Sequence, residues 1–282
     1  MDSARAQTVV HVAHSPDSDD AFMFYALATG QIDTGGITYV HELQDIETLN
    51  QRARRGELDV TAVSIHAYAY LTDRYALLPH GASIGDGYGP RLVTTQARMR
   101  DDLAGARIAV PGLLTSAYLA LRLWLPDFEA VPTPFDEIER AVSSGSVDAG
   151  LLIHEGQLTF ADDGLHLVVD LGAWWQAETS LPLPLGGNVI RKDLGAPLIA
   201  QVSRHLHASI AHALAHRTAA LDHAMTYARG LPRELADTFV GMYVNDWTLD
   251  YGERGREAIR TFLSRGTAAG IIPHEVKVEF TV

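Results

Sequence analysis

The chain has 282 residues, 47% of them hydrophobic and 20% charged, with 22 Lys and Arg against 35 Asp and Glu for a formal charge of −13. That is the composition of an ordinary globular protein, and its length exceeds one compact core, so about two domains are expected. Acidity without a Lys/Arg cluster excludes nucleic acid as a partner, since that affinity rests largely on phosphate neutralisation. The absence of cysteine excludes disulfides, thiolate metal sites and cysteine nucleophiles.

Residues 1–7 are polar with no apolar signal core, and no later run approaches the roughly 18 apolar residues of a membrane span. A cytoplasmic protein with no membrane partner is therefore expected. Residues 8–13 are a β-prone run ending at His14-Ser15-Pro16, and Asp17-Ser18-Asp19-Asp20 precedes the apolar segment 21–27. This order predicts strand, turn and capped helix, because Ser and Asp side chains satisfy free amides and their charge suits the helix dipole. Residues 36–41 read as a second strand, 46–55 as a helix closed by Gly56, and 58–64 as a third strand, so a largely parallel sheet is implied.

Gly85-Asp86-Gly87-Tyr88-Gly89-Pro90 lacks the Gly-Lys-Ser/Thr ending of a phosphate loop and reads as a turn. Residues 91–95 look like a strand leaving the first lobe, and 188–191 like one coming back. Between them, helix-like 135–144, Gly145 and the apolar run 150–153 echo the earlier helix, Gly56 and strand. Residues 197–264 are mostly helical and rich in Ala, Leu and Arg, with a break at Gly230-Leu231-Pro232, and would cover the first sheet. The fold expected is α/β with two lobes. The first comprises 1–95 and 189–282, the second is 96–188 inserted, and the ligand cleft lies between them. Closure would turn on the crossings near 94–95 and 186–188.

His154 follows the strand of 150–153 at the cleft edge. There it can exchange a proton near neutral pH, or it can merely cap a strand end through backbone hydrogen bonds. Ser64 holds the matching place in the first lobe, without a Ser-His-Asp context. Thr115 and Ser116 open a helix at 117–125, where hydroxyls and amides serve both as caps and as donors to a carboxylate or phosphate. His212 and His216 share a helix face with His205 and His207 upstream, but no H-E-x-x-H pattern accompanies them. They read as a solvated face, and no metal is expected. The adjacent pairs Asp19-Asp20 and Asp101-Asp102 point in divergent directions and read as caps rather than as acid/base dyads.

Several stretches together resemble the 1,4-dihydroxy-6-naphthoate synthase family of the futalosine route to menaquinone. The most specific is Val169-Asp170-Leu171-Gly172-Ala173-Trp174-Trp175, continuing to Leu181-Pro182-Leu183-Pro184-Leu185-Gly186. Support comes from Ala149-Gly150-Leu151-Leu152-Ile153-His154-Glu155, Ala67-Tyr68-Ala69-Tyr70, Asp73-Arg74-Tyr75-Ala76 and Tyr243-Val244-Asn245. The resemblance implies a type II periplasmic-binding-protein-like fold. It also implies a lyase converting cyclic dehypoxanthinylfutalosine to 1,4-dihydroxy-6-naphthoate with release of a dihydroxyacetone fragment. His154 would be the proton acceptor, Ala62, Val63, Ser64, Thr115 and Ser116 would contact a small anionic substrate, and no cofactor is implied.

The chain departs from the family pattern where Ser15-Pro16-Asp17-Ser18-Asp19-Asp20-Ala21 replaces Ser-Pro-Cys-Pro-Asn-Asp-Thr, where Ala62 replaces the usual lysine, and where Asp86 stands for an expected arginine. Either backbone amides and Arg91 compensate for the lost basic groups, or the ligand is a modified one. A solute-binding protein for a small anion and chorismate dehydratase are the alternative readings, both similar in fold.

Overall fold

The computed structural model describes residues 8–227 and 231–281. Gly230, part of the expected helix break, and the polar stretch 1–7 lie outside the described residues.

The chain begins with β1 (Thr8–His14), α1 (Ser18–Met23), α2 (Tyr25–Ala28), β2 (Ile37–Leu43), α3 (Ile46–Arg55), β3 (Val60–Ser64), α4 (Ile65–Tyr68), β4 (Tyr75–Leu77) and β5 (Ser83–Gly85). There follow β6 (Arg91–Thr94), β7 (Arg107–Val110), α5 (Ser116–Trp124), β8 (Glu129–Pro132), α6 (Ile138–Ser143), β9 (Ala149–Leu152), α7 (Gly156–Thr159), β10 (His166–Asp170) and α8 (Leu171–Thr179). The last part holds β11 (Leu183–Arg191), α9 (Ala196–Ala215), α10 (Arg217–Met225), α11 (Arg233–Tyr243), α12 (Asp246–Leu249) and α13 (Gly252–Ala268).

Two sheets result. The first runs β2-β1-β3-β11-β4, with β5 also on β11, and the second, read from its far edge, runs β8-β7-β9-β6-β10. In each, a central strand is flanked by two parallel partners, and an antiparallel strand follows on one side. The short sequence echo therefore reflects two lobes with one strand order. Parallel pairing follows from the helices that separate successive strands, since a crossover returns the chain in the same direction.

Local chemistry explains why the elements start and stop. In α3, Asp45 accepts the amide of Thr48 at 3.0 Å, Glu47 lies in the first turn, Arg52, Arg54 and Arg55 lie in the last, and Gly56 ends the helix at φ 73°. Charges of both signs thus complement the dipole, and the left-handed stop falls on the residue without a Cβ.

One expectation is corrected. The strand at 91 does not leave the first lobe: Arg91–Thr94 pairs with β9 and β10 in the second sheet. Conversely, the whole of Leu183–Arg191 pairs in the first sheet. The chain crosses between sheets at 86–90 and 180–182, not at 94–95 and 186–188. Apolar alternation marks a strand, but the sheet it joins is set by distant partners that no local window contains.

The helix α9 covers the first sheet, packing Val202, Leu206 and Ile210 on Val10, Val12 and Ile190. A larger cluster crosses the seam between lobes, joining Val63, Ile65 and Tyr75 to Ile108, Leu119 and Leu151 through Trp175 and Phe262. Phe262 of α13 meets Trp175 edge-on at 5.3 Å, and the Trp175 indole donates to the Pro182 carbonyl at 3.1 Å. A seam so apolar resists the free hinge motion that a wet interface between domains permits.

Candidate active site

A cavity lies between the sheets at the carboxyl ends of β1 and β3, facing the start of α5. Ala62, Val63, Ser64, Thr115 and Ser116 line it together, although they come from both lobes. Ile153 lines it from β9's end, whereas His154 itself does not.

Ser64 ends β3 in a fixed pose. Its amide donates to Asn50 Oδ1 at 2.9 Å, and Asn50 Nδ2 donates to Ser64 Oγ at 3.1 Å, both groups being buried. A hydroxyl that accepts from Asn50 keeps its own proton available to a ligand. Asn50 was missed from sequence, although its place among buried Leu49 and Ala53 on one helix face marks it as a polar group needing a partner.

Thr115 caps α5: its Oγ1 accepts the Tyr118 amide at 3.2 Å and donates to the Gly112 carbonyl at 2.8 Å. Ser116 Oγ accepts the His66 amide at 3.1 Å and donates to the Leu185 carbonyl at 2.6 Å, tying the lobes together. Both hydroxyls are thus engaged by protein. What the nine-residue helix offers an anion is the amides of Ser116 and Ala117, since Thr115 already takes that of Tyr118, together with the dipole behind them.

The opposite wall is acidic. Asp17, Asp19 and Asp20 line the cavity, and Asp20 Oδ2 accepts the Ser15 amide at 2.7 Å. The expectation that Asp19 and Asp20 act as caps is corrected. Asp17 is the N-cap residue of α1 without a side-chain cap bond, and Asp20 turns back to the loop. The pair Asp101-Asp102 does behave as a cap, with Asp102 accepting the Met99 amide at 2.8 Å. Burial raises Asp20 to about 7, with Asp17 adding repulsion against the Ser15 bond. Burial likewise raises Asp19, reinforced by Asp20, Asp17 and Glu155.

His154 is nearly buried, at 9% exposure, in a socket made by the segment before α6. The Gly156 amide donates to His154 Nδ1 at 3.0 Å, and His154 Nε2 lies 3.1 Å from the Phe135 carbonyl. These partners assign the lone pair to Nδ1 and the proton to Nε2. Glu139 of α6 approaches the same ring: a Cβ on Gly156 would fall 2.9 Å from Glu139 Oε1 and 2.8 Å from His154 Cε1. Burial raises Glu139, and His154 partly offsets it.

Two further bonds cross the cleft, from Ser18 Oγ to Glu155 Oε1 at 3.1 Å and from the Tyr243 hydroxyl to Gln157 Oε1 at 2.9 Å. Arg91 is not at the cavity. Its guanidinium is held by the Gln157 carbonyl and Asp170 and lies over Phe160, so it does not replace the missing lysine. Asp86 accepts from Gln176 Nε2 at 2.9 Å and also lies off the cavity wall. His212 and His216 stack on each other with centroids 4.0 Å apart.

The two lobes and the cavity between them define a periplasmic-binding-protein-like fold. An alkanesulfonate-binding protein from Xanthomonas axonopodis shares it at a TM-score of 0.69 with 15% identity, covering 98% of each chain. A crystal structure of a protein from Archaeoglobus fulgidus superposes far more closely, with TM-score 0.91 and 48% identity over 95% of this chain and 100% of that one.

The family model described as menaquinone biosynthesis matches residues 10–268, and the chain belongs to that family. It is similar to the 1,4-dihydroxy-6-naphthoate synthases of Streptomyces coelicolor, 40% identical over 94% of this chain and 95% of that protein, and of Thermus thermophilus, 41% identical over 93% and 95%. It is thus an enzyme of the synthase type, and a transport receptor shares only its fold.

Proposed function

We propose that the chain converts cyclic dehypoxanthinylfutalosine to 1,4-dihydroxy-6-naphthoate in the cytoplasm, breaking one carbon–carbon bond and releasing a dihydroxyacetone fragment. The observation that carries this is a cavity between lobes, with Ser64 and the α5 amides at the strand ends, in a chain matched nearly end to end by two synthases. The substrate's anionic group binds at those amides, and the apolar lining of Met23, Ile153 and Phe239 receives its ring system.

His154 is the proton acceptor. Its lone pair on Nδ1 is masked by the Gly156 amide, so base action begins when that bond breaks and the ring turns past Ile153 toward the cavity. The deciding assay is product formation from cyclic dehypoxanthinylfutalosine by the wild type and by His154→Asn. Near-equal rates would remove the catalytic role, and no product from the wild type would move the chain to a binding role.

A further inference from the structure

One polar group at the cavity is not absorbed by this chemistry. Asn188 lies in β11, lines the cavity and is only 1% exposed. Its backbone carbonyl accepts from Leu78 at 2.9 Å, and it stands opposite Ala62 of β3 in the sheet. Its side-chain amide is oriented by protein: Nδ2 donates to the Gly81 carbonyl at 3.2 Å and faces the Met23 sulfur at 3.5 Å. Gly81 fits closely against it, with φ 83° and no room for a Cβ, which would fall 2.1 Å from Nδ2. That contact fixes which end of the amide is nitrogen, because only the nitrogen can donate to a carbonyl.

The other end, Oδ1, is buried and has no hydrogen-bond partner. A buried carbonyl oxygen without a donor is costly, and the packing against Gly81 uses only the nitrogen. An uncharged acceptor beside Met23 and Ala62 suits a neutral O–H donor.

We propose that Asn188 Oδ1 is a substrate-binding acceptor that takes a hydrogen bond from a ligand hydroxyl, so that the cavity selects carboxylates that also carry hydroxyl groups. This rests on the reading that the cavity holds a small anionic substrate. Donors at Ser64 and α5 hold the carboxylate, and Asn188 reads the hydroxyl.

The test uses the full chain and Asn188→Leu, with Asn188→Ala serving if Leu is not accommodated beside Gly81; circular dichroism confirms folding. Shikimate and cyclohex-1-ene-1-carboxylate, one ring acid with hydroxyls and one without, are titrated calorimetrically. The wild type should bind shikimate about tenfold tighter, and the variant should bind both within about twofold, as expected for one buried acceptor. With cyclic dehypoxanthinylfutalosine the variant should raise KM about tenfold while kcat changes less than about threefold.

Discrimination that persists in the variant, or that is absent in the wild type while both acids bind, overturns the role of Asn188 and leaves the anion reading standing. Binding of neither acid overturns the ligand class itself. Failure of the wild type to turn over the naphthoate precursor while it still discriminates between the acids would overturn the proposed reaction and not the acceptor.

Discussion

The ends of β3 and β9 occupy equivalent places in two sheets of the same strand order, yet they are finished differently. At β3, Asn50 satisfies both the amide and the hydroxyl oxygen of Ser64, and the residue faces the cavity. After β9, both nitrogens of His154 are engaged by backbone, the residue does not line the cavity, and Oε1 of its neighbour Glu139 is buried without a partner. One end has its protein partners in place around the cavity. On the proposed reading the other must leave its present pose before it acts, which would separate binding from chemistry between the lobes.

The largest way to sharpen this comparison is His154→Asn. Asparagine Oδ1 can take the place of Nδ1 and accept the Gly156 amide, giving up only the Phe135 contact, so the fold and most affinity should survive. Turnover should fall by roughly two to four orders of magnitude, the range a general base contributes. Steady-state kinetics read it, and a loss of thermal stability with turnover intact would assign the residue to structure alone.

The converse substitution breaks the first lobe's end. Asn50→Leu strands the Ser64 amide and should lower unfolding free energy by about 1–3 kcal/mol. Urea denaturation monitored by circular dichroism checks this, and an unchanged midpoint would show that Ser64 finds another partner.

How far these ends were legible follows from the residues. Ser64, Thr115 and Ser116 stand at strand ends or helix starts, which local grammar marks, and the structure gathers them around one cavity. Asn50 and Asn188 escaped because their roles depend on partners 14 residues away at Ser64 and 107 away at Gly81. Arg91 stood in one of two alternatives for the lost basic groups, and nothing local tells that Asp170 and Phe160 hold it. The order of helices and strands was readable from caps and periodicity. The sheet to which Arg91–Thr94 belongs was not, since its partners on β9 and β10 lie outside any local window.

The acidic wall gives a third test, through pH. Asp20 is raised to about 7 and Asp19 is raised as well, in both cases first by burial, so their neutral forms favour an anion nearby. As pH falls from 8 to 6 the Asp20 carboxyl takes up its proton, and KM for an anionic substrate should drop up to about tenfold. A KM that follows this change ties the acidic wall to the anion, and Asp20→Asn should flatten the KM profile.

The smallest effect concerns the socket of His154. Glu139 has its carboxyl raised, first by burial, with only partial relief from His154. The sign follows: a carboxyl raised in the folded state favours folding when protonated, and that contribution is lost as pH climbs above its ordinary value toward the folded one. Glu139→Gln removes the ionised form and should therefore raise the melting temperature at pH 8 by roughly 2 °C, a modest shift because the group is only half-buried and partly screened. At pH 4, where the wild-type carboxyl is already largely neutral, the two proteins should melt together. A variant less stable at pH 8 would mean that the carboxylate stabilises the socket as an ion beside His154, and the β9 end would then be as fully satisfied as the β3 end.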